Sequence, residues 1–439
     1  MGSRLSAPGP QEKRFAAYIE GLANAAGHED RHTPLKNYCK GLLLPGERKS
    51  IEPMAARLDP KNVQPVRQSL HHLVAKAPWS DEILLDEVRN RVLPAMQKQG
   101  PVVAWIVDDT GFPKKGTHSV GVARQYCGQV GKQDNCRVAV SLSVATWSSS
   151  LPIAYRLYLP KEWAEDSERR EKTEVPKEVE FQTKPEIALG QIRAAVAANL
   201  DRGVVLADAA YGINTEFRDG VTELDLQYVV GVQSSMTVWE PGKQPLPAKP
   251  RGKMGRPPRL LQRTTDHQPV SVKQLAMNLP STTFKEVTWR EGTDRKLQSR
   301  FAAVRVRPAH RDYLKAEPHQ EEWLLIERPR GEKEPTKYWV STLPPTTKLK
   351  ALVKMAKHRW IIERDYEELK QELGLGHFEG RNWRGFHHHA TLCIAAYGFL
   401  VAERTRFSPS ASAGHLGFAA LGPTPDFRPR GSPRTPRAT

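Results

Sequence analysis

The chain has 439 residues, 39% of them hydrophobic, enough to bury a sizeable core in two or three domains or one elaborated one. Its 66 Lys and Arg against 49 Asp and Glu leave a formal charge of +17, an excess that favours a polyanionic partner such as nucleic acid and argues against an ordinary metabolic enzyme. Four scattered cysteines with no CxxC pair exclude a disulfide framework, and the absence of any apolar run of about 18 residues excludes a membrane-spanning helix. The first residues hold no apolar stretch of signal-peptide length, so a cytoplasmic protein without membrane contact is expected.

Residues 1–98 read as a helical N-terminal domain, with apolar residues at helical spacing in FAAYIEGLANAA, VRQSLHHLVAKA and DEILLDEVRNRVLPAM. Ser80 is placed to cap the last of these, ahead of acids in its first turn. The region serves equally as a DNA-end-binding module or as a packing domain.

From Pro101 the period changes, and residues 99–227 read as the first part of an α/β core. VVAWIV is an unbroken apolar run ending at Asp108-Asp109, as a buried strand delivering acids at its C-terminal end would be. Two further strands (RVAVSLSVAT and LPIAYRLYL), a helix (IALGQIRAAVAANL) and a fourth strand (GVVLADAAYG) follow, an order expected of an RNase H-like core and compatible with other mixed α/β folds. Asp208 ends the fourth strand as Asp108 ends the first. Side by side, two such carboxylates repel unless a proton or cation intervenes, so the pair invites a divalent metal; each alone is also what an ordinary strand-to-turn junction looks like.

Residues 228–345 read as a separate β-rich region with strands in YVVGV, FAAVRVRPA, EWLLIERP and KYWVSTL. Within it, the Pro/Gly-rich loop 239–263 carries Arg251, Lys253, Arg256 and Arg259 among its cations, and GRPPR resembles short hooks that lie along a minor groove. These four residues, with Lys114 and Lys115 in the loop after the first Asp, are the candidate DNA contacts outside the late helices. Residues 346–405 return to helix: TKLKALVKMAKHRWIIERDYEELKQEL runs about seven turns without Gly or Pro, and HATLCIAAYGFLVAER follows. On one face of the first lie Arg359, Glu363, Glu367 and Lys370, the pattern of an ion-paired solvated face or of one carboxylate held among bases. Residues 406–439, with six prolines after Thr405, read as a disordered basic tail. His387–His389 are consecutive and point about 100° apart on a helix, so they do not share a metal; Cys127 and Cys136 read as core thiols, and no phosphate-binding GxxxxGK[ST] is present.

With DDT at 108–110, LADAAYG, and RWIIERDYEELK, the chain from about residue 10 to 405 resembles DDE transposases of bacterial insertion sequences, in the branch with a β-strand insertion between the second Asp and the Glu. That branch carries Tyr-x-x-Arg-x-x-x-Glu-x6-Lys; Arg359, Glu363 and Lys370 fill the last three positions and Ala356 stands at the first. The resemblance implies an RNase H-like mixed sheet with a β-rich insertion and an N-terminal helical domain. Its catalytic and metal-binding acids would be Asp108, Asp208 and Glu363, with Asp109 as runner-up to Asp108. It further implies two Mg²⁺ ions, Mn²⁺ a possible substitute, and cleavage of double-stranded DNA at transposon ends followed by strand transfer into target DNA. A homodimer in a synaptic complex, at the nucleoid, would do this work. In some relatives a Trp of the insertion stacks on a flipped base, for which Trp289, Trp323 and Trp339 are candidates. A catalytically silent DNA-binding protein of the same descent, or a nuclease without strand transfer, are the alternatives.

Overall fold

The computed structural model describes residues 9–248, 259–291 and 296–406. Five helices open the chain: α1 (Pro10–Ala25), α2 (His32–Leu43), α3 (Ile51–Leu58), α4 (Val63–Ala75) and α5 (Asp81–Gln97). Ser80 caps α5 as expected, accepting from the N–H of Ile83 at 3.2 Å. These helices pack around the last helix of the chain rather than standing apart: the Tyr18 hydroxyl donates to the Ala395 carbonyl at 2.8 Å, and Arg14 grips Glu403 through Nε at 2.7 Å.

The core follows as β1 (Ala104–Pro113), β2 (Ala123–Cys127), β3 (Lys132–Ala145), β4 (Ser150–Leu157), α6 (Lys161–Ala164), α7 (Ser167–Lys172), α8 (Lys184–Ala197), β5 (Val204–Ala207), α9 (Ala209–Gly212), α10 (Thr215–Glu223) and β6 (Tyr228–Val232). β3 pairs antiparallel with both β1 and β4, whereas β1–β5 and β5–β6 are parallel. The resulting order β4-β3-β1-β5-β6 is a mixed sheet consistent with an RNase H-like core. β5 and β6 are short and apolar on both faces, as burial beneath helices demands.

The chain continues with β7 (Thr237–Trp239), β8 (Val270–Ser271), α11 (Val272–Asn278), β9 (Lys285–Glu291), β10 (Lys296–Pro308), β11 (Glu322–Arg328) and β12 (Lys337–Ser341). Residues 228–345 do not form a sheet of their own. β12 hydrogen-bonds to β6, so β12, β11 and β10 extend the core sheet from its far edge. The physical reason is that YVVGV is buried throughout; an unpaired edge there would leave a buried row of polar backbone groups.

Three helices close the described chain: α12 (Leu349–Lys357), α13 (Trp360–Gln371) and α14 (Trp383–Arg404). The seven-turn helix expected here is broken at His358–Arg359. His358 is 3% exposed and its Nε2 meets the Thr146 carbonyl at 2.8 Å, so satisfying a buried imidazole diverts the backbone where neither Gly nor Pro signals a break. α14 is apolar nearly all round and buried, and its three histidines each meet backbone: His387 the Trp383 carbonyl, His388 the carbonyls of Val74 and Trp79, His389 that of Gly374. Among the described residues no helix is long and apolar enough to cross a membrane.

Candidate active site

Strand register brings the first two acids together. β1 and β5 pair in parallel as Ala104↔Val204, Trp105↔Val205 and Ile106↔Leu206. Carrying that offset two residues further sets Asp108 against Asp208. β5 stops at Ala207 and Asp208 turns the chain, capping α9 by accepting from the N–H of Ala210 at 2.9 Å. Asp108 was expected at the end of its strand; instead β1 runs on to Pro113, because its pairing with β3 continues through Thr110↔Ala139 and Pro113↔Cys136. Asp108 and Asp109 therefore sit mid-strand, where the parallel partner ends and the antiparallel one goes on.

Ligand atoms of Asp108, Asp109 and Asp208 all lie within 4.8 Å of one another, and all three residues are half-buried. Burial pushes the Asp108 carboxyl up to about 6, and Asp109 and Asp208 add to the rise against the opposing pull of Arg359. Arg359 Nη1 lies 2.9 Å from Asp108 Oδ2, while Lys184, in the first turn of α8, pairs with Asp109. The Arg359 guanidinium is itself desolvated, yet Asp108, Asp208 and Glu363 together hold its proton more tightly than usual. Hard oxygen donors, mutual repulsion and partial burial suit this cluster to a divalent cation.

Glu363 stands in the first turn of α13, exposed and outside the three-acid cluster; its tie to the other acids runs through Arg359. The helix that carries it is clamped to the sheet. The Tyr366 hydroxyl bonds to Ser141, whose Oγ donates to the Asp108 carbonyl at 3.2 Å. Lys370 reaches beneath the same strand, its Nζ 3.3 Å from the Gly111 carbonyl. Lys114 donates to the Phe378 carbonyl at 2.9 Å, and burial draws its ammonium down to about 8. Lys115 and Arg259 are exposed; Arg251, Lys253 and Arg256 lie outside the described residues. Ala356, at the Tyr position of the signature, is buried in α12.

Of the three candidate tryptophans, Trp289 lines a pocket of about 240 Å³ with Trp147, Trp360, Arg290, Lys354, Lys357 and His358. Lys354 sits over the Trp147 ring, Lys357 over Trp289 and Arg290 over Trp360, with centroid distances of 3.9, 4.7 and 3.5 Å. Trp339 faces Lys357 from the sheet, whereas Trp323 donates its ring N–H to the Pro344 carbonyl and supports Arg305. Two residues beside the acids escaped the sequence reading. Lys184 had no signal beyond being a lysine at a helix start; Tyr211 had one, its place three residues after Asp208.

A family model described as DDE superfamily endonuclease matches residues 21–296, more than half of the chain, and ends before Glu363. The probable transposase for insertion sequence element IS701 from Microchaete diplosiphon is 32% identical over 170 residues, 38% of this chain and 41% of that protein. The matched stretch thus spans about two fifths of the curated relative's length. A cryo-EM structure of a piggyBac transposase synaptic complex with hairpin DNA aligns over 92% of this chain and 69% of that one, with a TM-score of 0.41 and 9% identity. Family membership implies use of divalent metal, in keeping with an acid cluster built where β5 ends beside the parallel strand β1. By the extent of the family match, the chain belongs to the DDE superfamily endonucleases.

Proposed function

We propose that this protein is an insertion-sequence transposase that cleaves DNA at its element's ends and joins the freed 3′ ends to target DNA. The observation that carries this is the convergence of Asp108, Asp109 and Asp208 ligand atoms within 4.8 Å at the mouth of a mixed sheet. Asp108 and Asp208 are the ligands from the sheet and Glu363 the ligand from α13, with Mg²⁺ as the resident ion and Mn²⁺ as its substitute. When bound, such ions would supply an activated oxygen nucleophile and charge stabilisation at the attacking and leaving oxygens.

The chain's own residues do the rest. Arg359, already between Asp108 and Glu363, pairs with a phosphate oxygen next to the cut. Lys370 and Lys114 stand behind β1 as further phosphate partners, and Lys115, Arg259 and the cations Arg251, Lys253 and Arg256 of the 239–263 loop track the duplex beyond the cut. The indole and cation-lined pocket at Trp289 fits an unstacked base with its flanking phosphates, since stacking asks for an aromatic face and little else. Two copies, one on each end of the element, form the synaptic assembly at the nucleoid.

The test is cleavage of end-containing DNA with Mg²⁺, read beside a gel shift of the same DNA. Asp208→Asn abolishes cutting and leaves the shift. Undiminished cutting by that variant overturns the assignment, and a wild-type protein that shifts DNA but neither cuts nor joins it with Mg²⁺ or Mn²⁺ is a DNA-binding protein only.

A further inference from the structure

Near the acid cluster a buried hydroxyl lacks a hydrogen-bond partner among the described residues. It is that of Tyr211, a residue only 1% exposed. Its ring packs in a tilted contact against Phe217, at 5.8 Å between centroids, and its backbone is placed by α9. That helix is pressed onto the sheet: a Cβ at Gly212 would stand 1.9 Å from the Gly231 carbonyl oxygen of β6, so only glycine permits the approach. The same helix is capped by Asp208. The phenol is therefore held on the helix that one of the acids caps.

The charges that act most on it, after burial itself, are those of Asp109, Asp108 and Asp208, and together they keep it protonated far above the usual phenol range. A phenol hydroxyl can donate a hydrogen bond. None of the three accepts from it, and buried hydroxyls are seldom left unpaired.

We propose that Tyr211 is a positioning residue whose hydroxyl donates to an ion-bound water held among Asp108, Asp109 and Asp208. The inference rests on the metal-site reading above and adds to it a group that orients the oxygen. In this role the hydroxyl fixes the direction of that water's lone pairs and is satisfied only when the ion is present, as an outer-shell partner is.

Calorimetric titration of the full chain with Mn²⁺ tests it, with melting temperatures measured in a chelator. Tyr211→Phe is expected to melt at or above the wild-type temperature without ion, because it sheds an unpaired hydroxyl, and to bind Mn²⁺ about tenfold more weakly. The electron paramagnetic resonance spectrum of its bound Mn²⁺ changes with the altered water. Phe217→Leu, which loosens the same packing but keeps the hydroxyl, retains wild-type Mn²⁺ affinity. Wild-type affinity in Tyr211→Phe overturns the proposal, as does an equal loss in Phe217→Leu, which assigns the effect to packing. Asp208→Asn separates the two readings: if it still binds Mn²⁺ as wild type does, the ion site itself is wrong; if it loses binding while Tyr211→Phe does not, only the role of Tyr211 falls.

Discussion

Two sides of the site are built by different means. On the sheet side, Asp108 and Asp208 are placed by strand register, with hydrogen-bonded neighbours on β3, β5 and β6 leaving little freedom. On the helix side, Glu363 is the exposed residue of the first turn of α13, a helix that follows a break and is tied down by buried polar contacts rather than by a ladder. Arg359 bridges the two, close to Asp108 and acting on Asp208 and Glu363 as well. The difference teaches that two of the proposed ligands can be preset by the backbone while the proposed third depends on how one helix is seated.

Exchanging the third acid is the sharpest way to break this comparison. If Glu363 completes the site, Glu363→Gln reduces Mg²⁺-dependent DNA cleavage by more than about 100-fold, the upper end for a group that only supports a ligand. Asp109→Asn, whose carboxylate is already engaged by Lys184, then loses about tenfold or less. Steady-state cleavage rates on one end-containing substrate decide it. The reverse order would place the whole metal site on the sheet side, with Asp109 as the third ligand.

How much of this was legible in the sequence follows the same division. The apolar runs before Asp108 and Asp208 mark two buried strands, and acids at corresponding points on both are a pattern that register converts into contact. The choice between Asp108 and Asp109 was not legible, because the two are adjacent and both carboxylates reach the cluster. On the helix side, the Arg, Glu and Lys spacing was readable, but not the break before Arg359, which comes from the bond between His358 and Thr146, 212 residues apart. The continuity of the β-rich segment with the core sheet was also hidden: YVVGV reads as a strand, and nothing local says it takes a partner on each side. Tyr211 could have been found, since Asp-x-x-Tyr at the start of a helix returns the ring toward the acid.

The helix side is also where pH acts on the fold. His389 is buried, accepts from the Tyr38 hydroxyl at Nδ1 and donates from Nε2 to Gly374, a neutral tautomer; burial pulls its pKa down to about 4. The unfolded chain takes up a proton near pH 6.5, the folded one not until about 4, so the unfolded state binds more protons in between and stability is lost as pH falls through that window. His358, also drawn down to about 4, adds to the effect at the seat of α13. Melting scans from pH 7 to pH 4.5 should show a fall on the order of 5 °C or more. His389→Gln, which keeps a donor toward Gly374, should flatten that fall; an unchanged slope would mean the histidine is not a source of it.

Asp365 should give the smallest effect, with the opposite sign. It is fully buried on the inner face of α13, bonded to Ser150 of β4 and accepting from the Tyr397 hydroxyl of α14 at 2.6 Å, so it seats the helix that presents Glu363. Burial raises its carboxyl to about 7, outweighing both hydrogen bonds. Between about 3.8 and 7 the folded state holds a proton that the unfolded state has lost, and stability declines as pH rises through that range. Asn is nearly isosteric, keeps an oxygen for Tyr397 and carries no charge to desolvate. Asp365→Asn should therefore melt at least about 2 °C above wild type at pH 8, and the gain should shrink toward pH 5. A loss of stability at pH 8 would instead show that the ionised carboxylate itself holds α13 in place, and with it the third acid.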